Sequence, residues 1–352
     1  MASPMTHKAR RAGPEDGQQI AVLFRVAYGQ SSHPCSNERF VLQTLRRSCT
    51  DMWYVSDIAG RITGCMGMLV NHWNRSWEIV RGITDPDFRG SGIGTLLAQR
   101  AVDEACSSED CDLIIGFPRN RTMYRILSEA VTPGMCALGH DGAINVACGR
   151  REYHLAALAL PRPARFEWRN PSRLPPDIRD PIVDAVLKPL GLAWIPGPYP
   201  PQFISGEVMQ NTDYGPFALH YRPFCPSYSL EISGYTGLRE RASEVAAELI
   251  ETLRSFECAR HVRVAVLADK LEFQAALVRA GFVITAYLPA WHHQNGVRYD
   301  CVLMVRRSID VEPADYNTRE IIDRFDVIYG RWSKIITASA LRSVSHNLIS
   351  SC

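Results

Sequence analysis

Apolar positions along the first 160 residues alternate between helical and strand periods. "GPEDGQQIAVLFRVAYG" (13–29) reads as a helix. Pro14 suits its first turn, Glu15 and Asp16 complement the positive end of the helix dipole, and Gly29 ends it. "NERFVLQTLRR" (37–47) reads as a second helix with Asn37 as N-cap. Three strands are expected next, Met52–Asp57, Ile62–Asn71 and Trp77–Thr84, the first two joined through a turn at Ala59-Gly60. Ile93, Leu96, Leu97, Ala101 and Ala105 then repeat at helical spacing. A short apolar run of buried-strand type follows at 111–117. "NRTMYRILSEA" (120–130) reads as a helix capped by Asn120, and "YHLAALAL" (153–160) as a last strand. Antiparallel strands followed by strand–turn–helix–strand–helix–strand make a mixed α/β layer domain.

Proline-rich sequence at 161–203 reads as a linker to a second domain. There, Leu238, Ala242, Val245, Ala246, Leu249 and Leu253 form a helical stripe, 262–268 alternates as a strand, and 269–282 is a helix closed by Gly281. The strands "FVITAYLPAW" and "VRYDCVLMV" follow, with Asn295-Gly296 in their connection. The second half thus replays the later part of the first. After Glu312 an amphipathic helix around Ile321, Phe325 and Trp332 is expected as a packing helix and leaves a homodimer open. The expected partition is 1–160, the linker 161–203, 204–308, and a helical tail 309–352.

Length changes this picture little, since 352 residues suit two domains. A net charge of +2 without a basic stripe argues against a nucleic-acid partner. No apolar run approaches a membrane span, and the N-terminus lacks an apolar signal core. Eleven cysteines form no framework, which fits a reduced, cytoplasmic chain.

The candidate chemistry lies in "ITDPDFRGSGIGTLLAQ" (83–99). Arg89-Gly90-Ser91-Gly92-Ile93-Gly94 stands between a strand and a helix start. Backbone N–H groups there are unpaired, the helix dipole adds positive character, and glycines admit a bulky anion to the main chain. A phosphate site is predicted. The dinucleotide spacing GxGxxG fails because position 97 is Leu, and no Gly-Lys-Ser/Thr follows as in a P-loop.

Arg89, Gly92 and Gly94 do match Arg/Gln-x-x-Gly-x-Gly/Ala, and the stretch resembles the acyl-CoA pyrophosphate motif of the GCN5-related N-acetyltransferase (GNAT) superfamily. The flanking strand "WEIVRGIT", the Asp85-Pro86 turn, the opening helix ending "AYG" and the later "AALVRAGF" stand in that family's order. The resemblance covers most of residues 7–160 and, more faintly, 228–306. It implies a GNAT fold, a mixed sheet flanked by helices, and acetyl transfer from acetyl-CoA, as co-substrate, to an amine by direct attack.

It further implies that the amides of Arg89, Gly90, Ser91, Gly92, Ile93, Gly94 and Thr95 hold the pyrophosphate. A main-chain N–H near Ile83 and Thr84 polarises the thioester carbonyl. Glu78, eleven residues before Arg89, is the candidate base. By strand alternation it shares a face with Val80, Gly82 and Thr84, opposite Trp77, Ile79, Arg81 and Ile83. A solvated strand glutamate is the plain alternative. The family's tyrosine, seven residues after the capping Asn, falls here on Leu127, so Tyr124, one turn earlier, is the candidate acid; core packing is its alternative. Asn120 is a candidate for the pantetheine arm as well as a helix cap. His72, between two strands, reads as an exposed histidine more readily than a substrate contact.

In the second half "ISGYTGLRERASE" holds Gly234 and Gly237 but no Arg-x-x-Gly-x-Gly. A degenerate GNAT-like domain that binds no CoA is expected, and covering the first domain's substrate cleft is open to it. His292, His293 and Asp300 lack any zinc spacing, so no metal is expected. Without an acidic face for basic tails, the expected acceptor is a small-molecule amine, with no nucleic acid and no membrane involved. A non-catalytic acyl-CoA sensor, or transfer to a carrier-protein thiol or a hydroxyl, remain alternatives. Acceptor specificity is expected from the first helices, the Ser31–Asn37 loop and the final hairpin.

Overall fold

The computed structural model describes residues 8–29, 33–132, 134–142, 152–206, 218–224, 229–236, 241–256, 259–307, 312–313 and 316–349. Ser31, Gly237 and Leu238, singled out above, lie outside them. The chain divides into two compact units, one built on residues up to Cys136 and on Ala156–Arg165, the other on the segments around 137–142 and 152–155 and on Phe166 onward.

From the N-terminus the elements run β1 (Lys8–Arg11), α1 (Gly17–Tyr28), α2 (Glu38–Leu45), β2 (Asp51–Ile58), β3 (Arg61–Asn71), β4 (Ser76–Thr84), α3 (Ile93–Ser107), β5 (Leu113–Gly116), α4 (Arg121–Ala130), β6 (Cys136–His140), β7 (Glu152–Tyr153) and β8 (Leu155–Ala159). In the first unit β1 to β4 form an antiparallel meander. β5 joins β4 in parallel through the α3 crossover, and β8 returns antiparallel to β5. Asn37 caps α2 by accepting from the N–H of Arg39 at 2.9 Å. Asn120 caps α4 by accepting from Met123 N–H at 2.8 Å.

Each face of this sheet has its own core. Met68, Ile79, Leu97 and Leu127 are buried with α3 and α4 on one face. Phe24, Val41, Trp53, Cys65 and Ile83 are buried with α1 and α2 on the other. Each large side chain so buried contributes roughly 1.5–3 kcal/mol. Ile79 and Ile83 lie four residues apart on β4 yet enter opposite cores, which a regular strand forbids.

The cause is a β-bulge. Cys65 pairs with Ile83 but Gly67 pairs with Val80, so β4 carries one residue more than β3 between these pairs. Arg81 takes the strain at φ +57. The expected face of Glu78 is therefore corrected. Glu78 shares its face with Val80 and, past the bulge, with Ile83. Gly82 instead faces α4, where a Cβ would lie 3.1 Å from Met123 Cε, and Thr84, paired with Gly64, falls on that same side.

The second unit continues with β9 (Glu167–Pro171), α5 (Pro176–Ile182), β10 (Pro196–Gly197), β11 (Ile204–Ser205), β12 (Ala218–Phe224), β13 (Ser229–Thr236), α6 (Ala242–Arg254), β14 (His261–Leu267), α7 (Leu271–Arg279), β15 (Val283–Gln294), β16 (Val297–Arg307), β17 (Glu312–Pro313) and α8 (Tyr316–Ile349). β12 and β13 are antiparallel, β13 and β14 parallel across α6, and β14 pairs antiparallel with β16 of the β15–β16 hairpin. This is the strand and helix order of β3, β4, α3, β5, α4 and β8 in the first unit.

The stretch expected as a linker is folded instead. β9 pairs in parallel with β16, and Trp168, Asn170, Ile178, Ile182, Val186 and Leu187 are buried. Pro176 occupies the first turn of α5, a position whose missing N–H costs nothing. The tail helix α8 packs within the second unit through Ile322, Phe325, Tyr329, Trp332 and Ile336. Ile321, named from the pattern, lies one position off that stripe. Trp332 donates to Gln274 at 3.1 Å, and Tyr329 accepts from Tyr287 N–H at 2.9 Å.

Candidate active site

The first unit builds its site where β4 and β5 part. Their pairing runs from Ser76–Leu113 to Ile79–Gly116. Among the described residues it goes no further, although β4 continues to Thr84. Main-chain groups of Val80–Thr84 on the β5 side therefore have no neighbouring strand to bond. α4 packs against α3 on the face of the sheet beside this open edge. Met123 fills the space beside Gly82, and Ile126 stands 3.3 Å from where Gly94 would carry a Cβ.

The glycine turn follows directly. Asp85 ends β4, its carboxylate accepting from Arg61 at 2.7 Å and from Asp87 N–H at 3.1 Å. Gly90 and Gly92 then adopt φ +82 and +84, left-handed values that cost other residues roughly 1–2 kcal/mol. Nothing lies within 4 Å of a Cβ at either position. The backbone conformation therefore requires glycine here, and the space above it stays open for a large anion. Leu96 N–H bonds Gly92 O at 3.0 Å and closes the first turn of α3. The N–H groups of Ile93, Gly94 and Thr95 ahead of it are those a helix leaves unpaired. Arg89 and Ser91 are exposed beside them.

Glu78 is half-buried on the α1/α2 face of β4. Tyr124 is partly buried against the α3/α4 core, and its hydroxyl donates to Met135 O at 3.2 Å. Leu127, at the position of the family's tyrosine, is buried and packs toward Gly116. Asn120 is exposed, with its side-chain oxygen committed to the cap. His72 is exposed on the β3–β4 turn.

Sequence reasoning passed over the residues around Glu78 on that face. Arg81 binds Asp51 through both terminal nitrogens, and its guanidinium carbon lies 4.8 Å over the Trp53 ring and 5.9 Å from Phe40. His33 stacks on Phe24 and Tyr28. Burial first, and Arg81 second, pull the His33 pKa down to about 4, while burial pushes the Cys35 thiol up to about 12. An arginine inside a half-apolar strand beside Gly82 was the one visible signal.

In the second unit His292 is held by Gln202 at 2.8 Å and Ser205 at 3.1 Å. Asp300 accepts from Trp168 at 2.7 Å, Asn170 at 2.6 Å, Ala290 N–H at 2.8 Å, and the Tyr287 hydroxyl. Among the described residues no group of three or more His, Cys, Asp or Glu is placed to hold a metal ion, and no helix is long and apolar enough to cross a membrane.

A parted parallel strand pair, a glycine turn and an open helix N-terminus meet at this candidate site. Residues 18–124 match the model of the acetyltransferase (GNAT) family, and this part of the chain is a GNAT acetyltransferase domain, of the N-acetyltransferase class, with acetyl-CoA as co-substrate. No curated protein matches the sequence. Among solved structures the chain is similar to the ribosomal-protein-S5-alanine acetyltransferase of Vibrio fischeri, with 15% identity and TM-score 0.38, over 46% of this chain and 96% of that one. It is similar to a GNAT-family acetyltransferase of Streptococcus pneumoniae at 17% identity and TM-score 0.37, over 44% and 99% of the two chains. A point mutant of the spermidine N-acetyltransferase of Vibrio cholerae gives 17% identity and TM-score 0.37, over 44% and 95%.

Proposed function

We propose that this protein transfers the acetyl group of acetyl-CoA directly to the amine of a small metabolite. The observation that carries the reading is the opening between β4 and β5, which continues past the glycine turn, where the Arg89 and Ser91 amides bond Pro86 O and Phe88 O at 3.4 Å, into the open first-turn amides of α3. In this reading the Arg89–Thr95 segment binds the pyrophosphate, and Asn120, its carbonyl oxygen used by the cap, offers its NH₂ to the pantetheine arm. A main-chain N–H at Ile83 or Thr84 polarises the thioester carbonyl. Glu78 takes a proton as the amine nitrogen bonds the acetyl carbon and the C–S bond breaks. Tyr124 returns a proton to the departing sulfur after its hydroxyl leaves Met135 O.

The second unit is, in the same reading, a degenerate GNAT-like copy without a CoA site. Its shared strand order and its lack of an Arg-x-x-Gly-x-Gly turn support that. The buried Leu127 and the engaged Tyr124 hydroxyl favour a second reading, a non-catalytic acyl-CoA sensor.

Titration calorimetry with acetyl-CoA and thiol release with an amine panel test these roles. Gly92→Glu is expected to abolish acetyl-CoA binding; unchanged binding sinks the pyrophosphate assignment. Glu78→Gln is expected to lower kcat by about 100-fold or more with acetyl-CoA affinity intact, and full activity would move the base elsewhere. Any amine-dependent turnover rules out the sensor.

A further inference from the structure

Register across the first sheet aligns Asp51, Leu69 and Glu78 in one row, and Trp53, Gly67 and Val80 in the next, on the α1/α2 face. Asp51 and Glu78 thus stand two strand spacings apart, about 10 Å. The bulge turns Arg81 back onto this face. Its side chain passes over Gly67, with Cδ 3.5 Å from a Cβ built there, and reaches Asp51. Only a glycine in the middle row leaves that path open.

The corner so formed has more donors than acceptors. Two of the five guanidinium donors engage Asp51. The rest have no partner among the described residues, and the Arg81 side chain is only 16% exposed. Beneath it, the Trp53 indole N–H is buried and without a partner. Burial pushes the neighbouring Cys35 thiol up to about 12, so it stays protonated near neutral pH and supplies no second anion. A buried donor left unmade is costly, as at the Trp53 N–H, and a planar, bidentate acceptor matches the free guanidinium edge of Arg81.

We infer that the acceptor is an amine carrying a carboxylate several bonds from its reactive nitrogen, with Arg81 and the Trp53 N–H recognising the carboxylate. The placing of the amine rests on the acetyl-transfer reading, in which Glu78 meets the nitrogen. The guanidinium lies toward the Asp51 end of the row, away from Glu78, so in this reading a terminal amine is favoured over an α-amino group.

Titration of the CoA-loaded protein with ε-aminocaproate, its primary amide, hexylamine and glycine tests this without needing turnover. ε-Aminocaproate is expected to bind at least about tenfold more tightly than its amide, hexylamine or glycine. Arg81→Gln erases that preference and Arg81→Lys restores part of it. Trp53→Phe keeps the ring under the guanidinium but removes the N–H. It is expected to lower stability through the smaller core side chain and to weaken ε-aminocaproate several-fold more than hexylamine; a merely structural indole weakens both alike or neither. Equal affinity for acid and amide, tightest binding by glycine, or no binding at millimolar ε-aminocaproate overturns the inference. If Arg81→Gln does not fold, the wild-type comparison and Trp53→Phe decide. If thiol release then fails with every amine while carboxylate selectivity persists, the acetyl-transfer reading falls and the carboxylate site stands.

Discussion

Arg81 holds the conformation of a glycine with the side chain of a cation. A left-handed non-glycine residue costs about 1–2 kcal/mol, and the ion pair with Asp51 and the face of Trp53 offset that cost. The arrangement depends on Gly67. A Cβ there would lie 3.2 Å from a Val80 methyl and 3.5 Å from Arg81 Cδ, so Gly67→Ala forces both to move. We expect Gly67→Ala to lower stability by about 1–2 kcal/mol, read as a fall in the urea midpoint. Val80→Ala in the same chain should recover part of that loss, because the two positions are paired and couple. Simple additivity of the two substitutions would show that crowding at Gly67 is not the cause.

Elements with strong periodicity were legible: α1, α2, α3 and β2 to β5 fall where apolar spacing and capping residues put them. The bulge was not, because its strained residue is an arginine and Gly82, which composition favours for a positive φ, stands next to it. The Arg81–Asp51 pair joins residues 30 apart in sequence, a separation no local pattern reports. β9 and α5 were masked by prolines that occupy a strand end and a helix start. α4 gives a direct test of a doubled role. Asn120→Ala should cost about 1 kcal/mol through the lost cap. Asn120→Asp keeps the cap acceptor, so its stability should stay near wild type. If the side-chain NH₂ also holds the pantetheine arm, both variants weaken acetyl-CoA binding in titration; wild-type affinity in Asn120→Asp confines the residue to capping.

Acid should unfold the whole molecule more readily than its near-neutral charge suggests. His33 in the first unit, and His261 and His292 in the second, have pKa values pulled down to about 4, chiefly by burial. Between the unfolded value near 6.5 and the folded value near 4, the unfolded chain binds more protons at each site. Their contribution is therefore full above about pH 6.5 and is lost as pH falls toward 4. Asp16, its pKa lowered by Arg10 and the Gly13 N–H against its own burial, leans the same way only below the ordinary carboxylate range. Asp300, raised to about 6 by burial, and Asp269, also raised by burial, lean the other way and offset part of the loss. More groups favour the first direction, so the denaturant midpoint should drop between about pH 6.5 and about pH 4.5, by up to about 1.4 kcal/mol per pH unit for each uncompensated site. His261 isolates the effect, since both its ring nitrogens are buried without partners. His261→Phe removes no hydrogen bond and cannot take up a proton. It should leave stability at pH 7 within about 1 kcal/mol of wild type and flatten the acid limb of the profile. A variant whose midpoint falls as steeply as wild type would place the acid sensitivity at the other histidines.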